Sequence, residues 1–232
     1  MSDDIEQKES KILAQFAKGV FSAGLLKQSC PDVPEATVDV IRVEKLSETE
    51  LEECLSLLDR NLGSIYALVN GKGWKKPKRK EMIEPGLVYV LLRAAGTNKL
   101  IGLISMKIVN EYDLKVLYLY EIQVDESCRN KKLGTFAMLQ LDRLVLTINS
   151  SDKLKQLWLR EYEDEYLGLH DPEILLTGVA LTVFSVNKGA RKLYQRLGYK
   201  LHPDSAKDRV LRSGKVIEPI YYMLEKSVKD SV

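Results

Sequence analysis

The chain has 232 residues, a formal net charge of +2, 45% hydrophobic and 29% charged residues, the make-up of a globular protein long enough to bury a core within one domain. Cys30, Cys54 and Cys128 are scattered with no Cys-x-x-Cys spacing, and His170 and His202 are the only histidines, which argues against a disulfide framework, a zinc cluster or a His-rich metal site; no metal is expected. The acidic, polar N-terminus is unlike a signal peptide, and no apolar run approaches the roughly 20 residues that cross a bilayer, so the expectation is an intracellular, reduced, soluble protein without membrane attachment.

Residues 5–27 set Ile5, Ile12, Leu13, Phe16, Val20, Leu25 and Leu26 among Lys and Glu, which predicts one N-terminal helix that docks on the rest and ends at Pro31 and Pro34. Alternation over Val38–Val43 predicts a first strand. Ser47-Glu48-Thr49-Glu50 is a capping box. It opens a helix through Leu51, Leu55 and Leu58, with a second helix over Asn61–Asn70. Gly71–Arg79 reads as a Lys-rich loop carrying Trp74 and Pro77. Leu87–Arg93 and Leu100–Val109 read as a hairpin turning at Gly96-Thr97-Asn98, and Val116–Val124 as the next strand.

Gly134–Ile148 is predicted helical from the stripe Ala137, Leu141, Leu144, Val145 and Ile148. Residues 150–173 read as irregular or partly helical. Leu176–Phe184 is a continuous apolar strand of the kind buried on both faces. Asn187–Leu197 is predicted helical, closed by Gly198, and Tyr199–His202 and Ile217–Glu225 finish as strands. The division expected is an N-terminal helical segment, 1–34, packing on one domain, 35–228, with an insertion at about 150–173.

The chemistry concentrates between Tyr118 and Thr135. An apolar strand carries Glu121 in its middle and runs into the basic loop Arg129-Asn130-Lys131-Lys132-Leu133-Gly134, and a helix follows. Strand, amide-rich loop and helix N-terminus together make a cradle for a diphosphate. A carboxylate in an apolar strand beside such a cradle is a candidate general base, with burial expected to raise its pKa. The bland alternatives are a plain strand–helix turn with solvated lysines and a structural Glu paired with a Lys or Arg.

This loop resembles the Arg/Gln-x-x-Gly-x-Gly/Ala motif of the GCN5-related N-acetyltransferases (GNAT). The run Ala180–Tyr199, with Asn187, Ala190, Tyr194 and Leu197-Gly198-Tyr199, is similar to that superfamily's second signature. Lys132 stands where the first glycine usually sits, a place a lysine tolerates if its φ is ordinary and its side chain points outward. Val116–Val124, with its Tyr-x-Tyr-Glu, together with Leu181–Phe184, Asn187–Ala190, Gly73-Trp-Lys-Lys and Lys80-Glu-Met82, is similar to the histone N-terminal (NatD) branch.

The resemblance implies an α/β fold: a central mixed, mostly antiparallel twisted sheet flanked by helices, here with an added N-terminal helix. It implies an acetyl-CoA-dependent enzyme that acetylates the free N-terminal amine of histones beginning Ser-Gly-Arg-Gly, namely histone four and the two-A histone. It further implies a monomer without an auxiliary subunit, working in cytoplasm and nucleus. Acetyl-CoA would lie along Ile122, Gln123 and Val124 and on Arg129, Asn130, Lys131, Lys132, Leu133, Gly134 and Thr135. Asn187 would contact its acyl arm, unless it only caps a helix. Glu121 would be the base. Tyr194 would protonate the departing thiolate, unless it only packs.

Tyr66, Tyr118, Tyr120, Thr182 and Tyr221 map onto or beside substrate-facing positions. The carboxylate that meets the substrate arginine falls near Asn110-Glu111, with Asp113 an alternative. The run Lys72–Lys80 is solvated or touches nucleic acid, as a ribosome-associated or nascent-chain enzyme would. The acidic run Glu161, Glu163, Asp164, Glu165, with Tyr162 and Tyr166, is solvated or a docking face. Competing readings are a GNAT enzyme for lysine side chains or small amines and a silent acetyl-CoA-binding module.

Overall fold

The computed structural model describes residues 2–111, 114–161 and 175–229. Helix α1 (Ser2–Val20) breaks at Phe21 and restarts as α2 (Ala23–Ser29). The one helix expected here is two because Ser22 takes an extended backbone and its hydroxyl accepts the Leu25 amide at 3.3 Å, capping the second. After β1 (Ala36–Arg42), the capping box of Ser47 and Glu50 opens α3 (Glu48–Asn70). This is one 23-residue helix where two were expected. The polar stretch Asp59-Arg60-Asn61 holds no proline, so the ladder continues.

Helix α4 (Lys75–Glu81) replaces the expected Lys-rich loop. Pro77 falls in its first turn, where an amide hydrogen has no intrahelical partner to lose. Strands β2 (Val88–Ala94), β3 (Leu100–Glu111) and β4 (Leu114–Val124) follow, then α5 (Leu133–Asn149) and α6 (Asp152–Glu161). Next come β5 (Leu176–Phe184), α7 (Lys188–Arg196), β6 (Lys200–Leu201), β7 (Arg209–Val210), β8 (Val216–Ile217) and β9 (Tyr221–Ser227). The final strand expected over Ile217–Glu225 is divided in two. Pro219 cannot donate to a ladder, so Val216–Ile217 pairs with β7 in a separate small sheet and β9 joins the main one.

The main sheet has seven strands in the order β1-β2-β3-β4-β5-β9-β6. Its pairings are antiparallel except β4 with β5. Val88, Val90 and Leu92 of β2 join a core with α1, α2, α5 and α6, while Tyr89 and Leu91 join a second core with α3 and Trp74. Helices thus cover both faces, which is why β2 reads as an unbroken apolar run. On the first face Trp158 of α6 donates its indole N–H to Glu9 of α1 at 2.6 Å. The rest of the expected insertion, 162–173, lies outside the described residues. No described helix is long and apolar enough to cross a membrane.

Candidate active site

The parallel pair β4–β5 is what opens the sheet. Its register runs from Lys115↔Leu176 to Leu119↔Leu181 and stops. Beyond that point β4 stays with β3 (Ser105↔Glu121, Gly102↔Val124) and β5 stays with β9 (Thr182↔Met223, Phe184↔Tyr221). The register of β3 also jumps from Met106↔Leu119 to Ser105↔Glu121, so Tyr120 is a bulge residue with no partner of its own. A bulge bends its strand, and here it sits where the two strands part. The gap holds a cleft of about 630 Å³ lined by Glu121–Val124, the Arg129–Thr135 region, Leu181–Phe184 and the start of α7.

Alternation decides which backbone groups face the gap. The Asp125 amide donates to Ile101 at 2.9 Å, so Asp125, Gln123 and Glu121 turn their amides toward β3. Ile122 and Val124 therefore turn theirs away, into the cleft. The Val124 carbonyl confirms this sense, since it accepts from Asn61 at 3.1 Å and from Arg129 at 3.4 Å on the far side from β3.

At one end of the cleft, Asp125 caps a short turn, Glu126–Cys128, that leads into the cradle. Burial by itself would raise the Asp125 carboxyl, but hydrogen bonds from Ser127 and Lys99 outweigh it and hold the pKa at about 2. Asn130 (φ 61°) and Lys132 (φ 64°) are left-handed. This departs from the ordinary φ under which a lysine was expected to be tolerated; its side chain is exposed. Lys132 caps α5, whose first amides at Leu133, Gly134 and Thr135 lie outside the helix ladder. A Cβ on Gly134 would stand 3.3 Å from Leu193 Cδ2 of α7, so glycine lets the two helices approach. Amides aimed outward from a helix start, beside Arg129 and Lys132, fit a diphosphate. Arg129, Asn130, Lys132, Leu133, Gly134 and Thr135 line the cleft; Lys131 does not. The Arg129 amide is already bonded to the Glu126 carbonyl at 3.2 Å.

At the other end Glu121 is 6% exposed. Its Oε1 lies 2.5 Å from Nζ of Lys78 and accepts from the Tyr66 hydroxyl at 3.3 Å, while Oε2 accepts from Gln123 Nε2 at 2.8 Å. Lys78 is itself only 6% exposed. It belongs to the run read as a solvated or nucleic-acid-binding loop, yet it turns inward from α4. Burial works against its charge, but Glu121, Tyr66 and Glu81 outweigh that and raise its pKa. The apolar strand around Glu121 is therefore not its whole environment: a cation stands against it.

Tyr66 is stacked on Trp74 (4.6 Å, 15°) and meets Phe184 edge-on at 5.0 Å. Tyr120 donates to Glu84 at 3.3 Å and meets Tyr118 edge-on at 5.3 Å. Tyr118 and Thr182 share a 2.7 Å hydrogen bond; Thr182 lines the cleft and Tyr118 does not. Tyr194 is buried in the cleft wall, and burial first, then the Glu121 charge, raises its pKa. Asn187 lines the cleft and also caps α7, accepting the Ala190 amide at 3.2 Å.

Two expected substrate residues stand elsewhere. Tyr221 is exposed on β9 beside Phe184 and off the cleft wall. Asn110 lies at the far end of β3 and accepts from the buried Lys115 at 2.9 Å. The side chain of Glu111 lies outside the described residues, as do Asp113 and the acidic run from Glu161 to Tyr166.

Sequence reading assigns no site role to Asn61, Glu81 or Glu84, and takes Lys78 only as part of a solvated or nucleic-acid-binding run. Asn61 gave a usable signal, since it follows Leu58 by three residues on the apolar stripe of α3 and so points inward. Lys78 gave a weaker one, one helical turn after the buried Trp74.

A strand pair that splays at a bulge, an amide-lined cradle at one end of the gap and a buried carboxylate at the other make a site built to hold an acyl donor against an acceptor. The model of the acetyltransferase (GNAT) family matches residues 53–169, half of the chain. The chain belongs to the GNAT acetyltransferase family. Among curated proteins, this GNAT chain is 29% identical over 230 aligned residues to N-alpha-acetyltransferase 40 of Saccharomyces cerevisiae, covering 88% of this chain and 72% of that one. Among solved structures it resembles a putative GNAT acetyltransferase from Desulfovibrio desulfuricans (11% identity, 83% of this chain and 100% of that one, TM-score 0.47). It also resembles Arabidopsis thaliana NAA60 in complex with a bisubstrate analogue (14% identity, 83% and 100% coverage, TM-score 0.44).

Proposed function

We propose that this protein is an N-terminal acetyltransferase that moves acetyl from acetyl-CoA to the free α-amine of histone tails beginning Ser-Gly-Arg-Gly. The observation that carries the reading is the buried carboxylate of Glu121 at the splay of β4 and β5, with Tyr66, Tyr120 and Thr182 on the walls around it. The yeast relative's name supports the choice of an α-amine.

Acetyl-CoA supplies the thioester carbonyl that the amine attacks. The cradle amides and the start of α5 hold its diphosphate end, and the inward amide of Ile122 is the backbone donor for the carbonyl oxygen. An α-amine has a pKa of about 7.7–8.0, so a modest base suffices to take its proton. A carboxylate offers about four acceptor positions. Lys78, Tyr66 and Gln123 fill three on Glu121, which leaves one for the amine or a bridging water. Tyr194, kept protonated by burial and by Glu121, is the donor for the departing sulfur. Glu84 and Glu81 add negative charge near Tyr120 and Lys78, which suits a cationic tail. The reading includes a monomer acting in cytoplasm and nucleus.

Rates with labelled acetyl-CoA on a panel of peptides test the assignment. Ser-Gly-Arg-Gly is expected to exceed Met-Leu by at least about a hundredfold, because a narrow polar slot rejects bulk and leaves unpaired groups with the wrong partner. Equal rates on both would remove the histone assignment.

A further inference from the structure

Lys78 is unusual for a lysine on a helix of the sequence Lys-Lys-Pro-Lys-Arg-Lys-Glu. Lys75, Lys76 and Lys80 of the same helix are exposed, and Lys78 alone is buried. Its Nζ lies 2.5 Å from Glu121 Oε1, hydrogen-bonds Glu81 Oε1 one turn on, and sits 5.4 Å from the centre of the Tyr66 ring. Tyr66 donates to the same Glu121 oxygen and is clamped between Trp74, which opens α4, and Phe184 of β5. Helix, base and aromatic wall are thus joined through one ammonium group.

We propose that Lys78 is a positioning residue for acetyl transfer, fixing the Glu121 carboxylate so that its remaining acceptor position faces the cleft. The inference rests on the reading of Glu121 as the base. Two carboxylates share Lys78, so it stays an ammonium with no lone pair, which excludes it as a nucleophile or a proton acceptor. A buried ion pair contributes little net stability compared with a well-packed apolar pair, so a role in packing alone does not account for it. Holding one carboxylate oxygen does. Without Lys78, Glu121 Oε1 would keep only the 3.3 Å hydrogen bond from Tyr66, the carboxylate would be free to turn, and the acceptor position offered to the amine would no longer be fixed.

The test is a double-mutant cycle on the full chain: parent, Lys78→Met, Lys78→Arg, Glu121→Gln and the double variant Lys78→Met/Glu121→Gln. Each is measured for kcat on a Ser-Gly-Arg-Gly peptide, for acetyl-CoA affinity by calorimetry, and for melting temperature. A positioning role predicts that Lys78→Met lowers kcat at least about tenfold, within the range a general base contributes, with acetyl-CoA affinity retained. Lys78→Arg should recover a substantial part of that loss. Residues that act through one another are non-additive, so Lys78→Met should add less than about a twofold loss once Glu121 is Gln. The double variant leaves no unpaired charge from this pair, so this comparison survives even if the single Lys78→Met variant fails to fold. A slow Glu121→Gln beside a Lys78→Met that turns over at the parent rate would overturn the role of Lys78 and leave the base intact. So would a double variant tenfold slower than Glu121→Gln. A Glu121→Gln variant at the parent rate would overturn both.

Discussion

Asn61 stands between the cradle and Glu121, with its Oδ1 taking a 2.5 Å hydrogen bond from Arg129. Its amide nitrogen donates to Gln123 Oε1 at 2.9 Å and to the Val124 carbonyl at 3.1 Å, and Gln123 passes the same polarity on to Glu121 at 2.8 Å. Every link donates in one direction, so the chain from Arg129 to Glu121 has a single consistent arrangement.

That chain predicts the effect of Asn61→Leu, which keeps the volume and removes the hydrogen bonds. Gln123 Oε1 loses its donor, and an unsatisfied buried polar group costs about 1–3 kcal/mol. Urea unfolding should show a loss of that size, together with a higher KM for acetyl-CoA as Arg129 loses its anchor. A variant as stable as the parent would mean the relay is not formed in solution.

Glu121→Gln removes the acceptor while preserving shape. The rate at neutral pH should fall by about 10²–10⁴, with acetyl-CoA binding unchanged by calorimetry. A rate within threefold of the parent removes Glu121 from the mechanism.

Lys132 predicts a local strain. A non-glycine residue in the left-handed region costs about 1–2 kcal/mol, and part of that is offset because glycine loosens the unfolded chain. Lys132→Gly should therefore stabilise the protein by up to about 1 kcal/mol in urea unfolding, whereas the β-branched Lys132→Val should destabilise it. Stabilisation by Val would contradict the φ of +64° at this position.

Asp125 sets an acid dependence. Its folded pKa of about 2 lies below the ordinary 3.8, so its interactions support the fold above about pH 4 and are lost as pH falls toward 2. Unfolding measured at pH 7, 4 and 2.5 should show this loss in the parent and a shallower slope in Asp125→Asn. Parallel slopes would assign acid sensitivity to other carboxylates.

The elements that were legible in the sequence are those with local codes. The capping box at Ser47, the stripe of α5 and the apolar run of β5 each state their own structure, and the cradle and Glu121 share one segment. The parting of β4 from β5 was not legible. It depends on where a parallel register stops and on a bulge at Tyr120, both set between strands far apart in sequence. Lys78 was misread for the same reason. A lysine among lysines looks solvated until Tyr66 and Glu121, distant in the chain, are brought beside it. Asn110 is the converse: a substrate role carried over by resemblance meets a side chain already engaged by the buried Lys115.

The most direct test of the account is where the acetyl group goes. A histone-tail peptide beginning Ser-Gly-Arg-Gly and containing an internal lysine is offered in two forms, one with a free α-amine and one with that amine blocked, and the products are mapped by tandem mass spectrometry. The account predicts acetyl on the N-terminal nitrogen of the free peptide and no product above background from the blocked one. Acetylation of the internal lysine at comparable rates in both forms would contradict it.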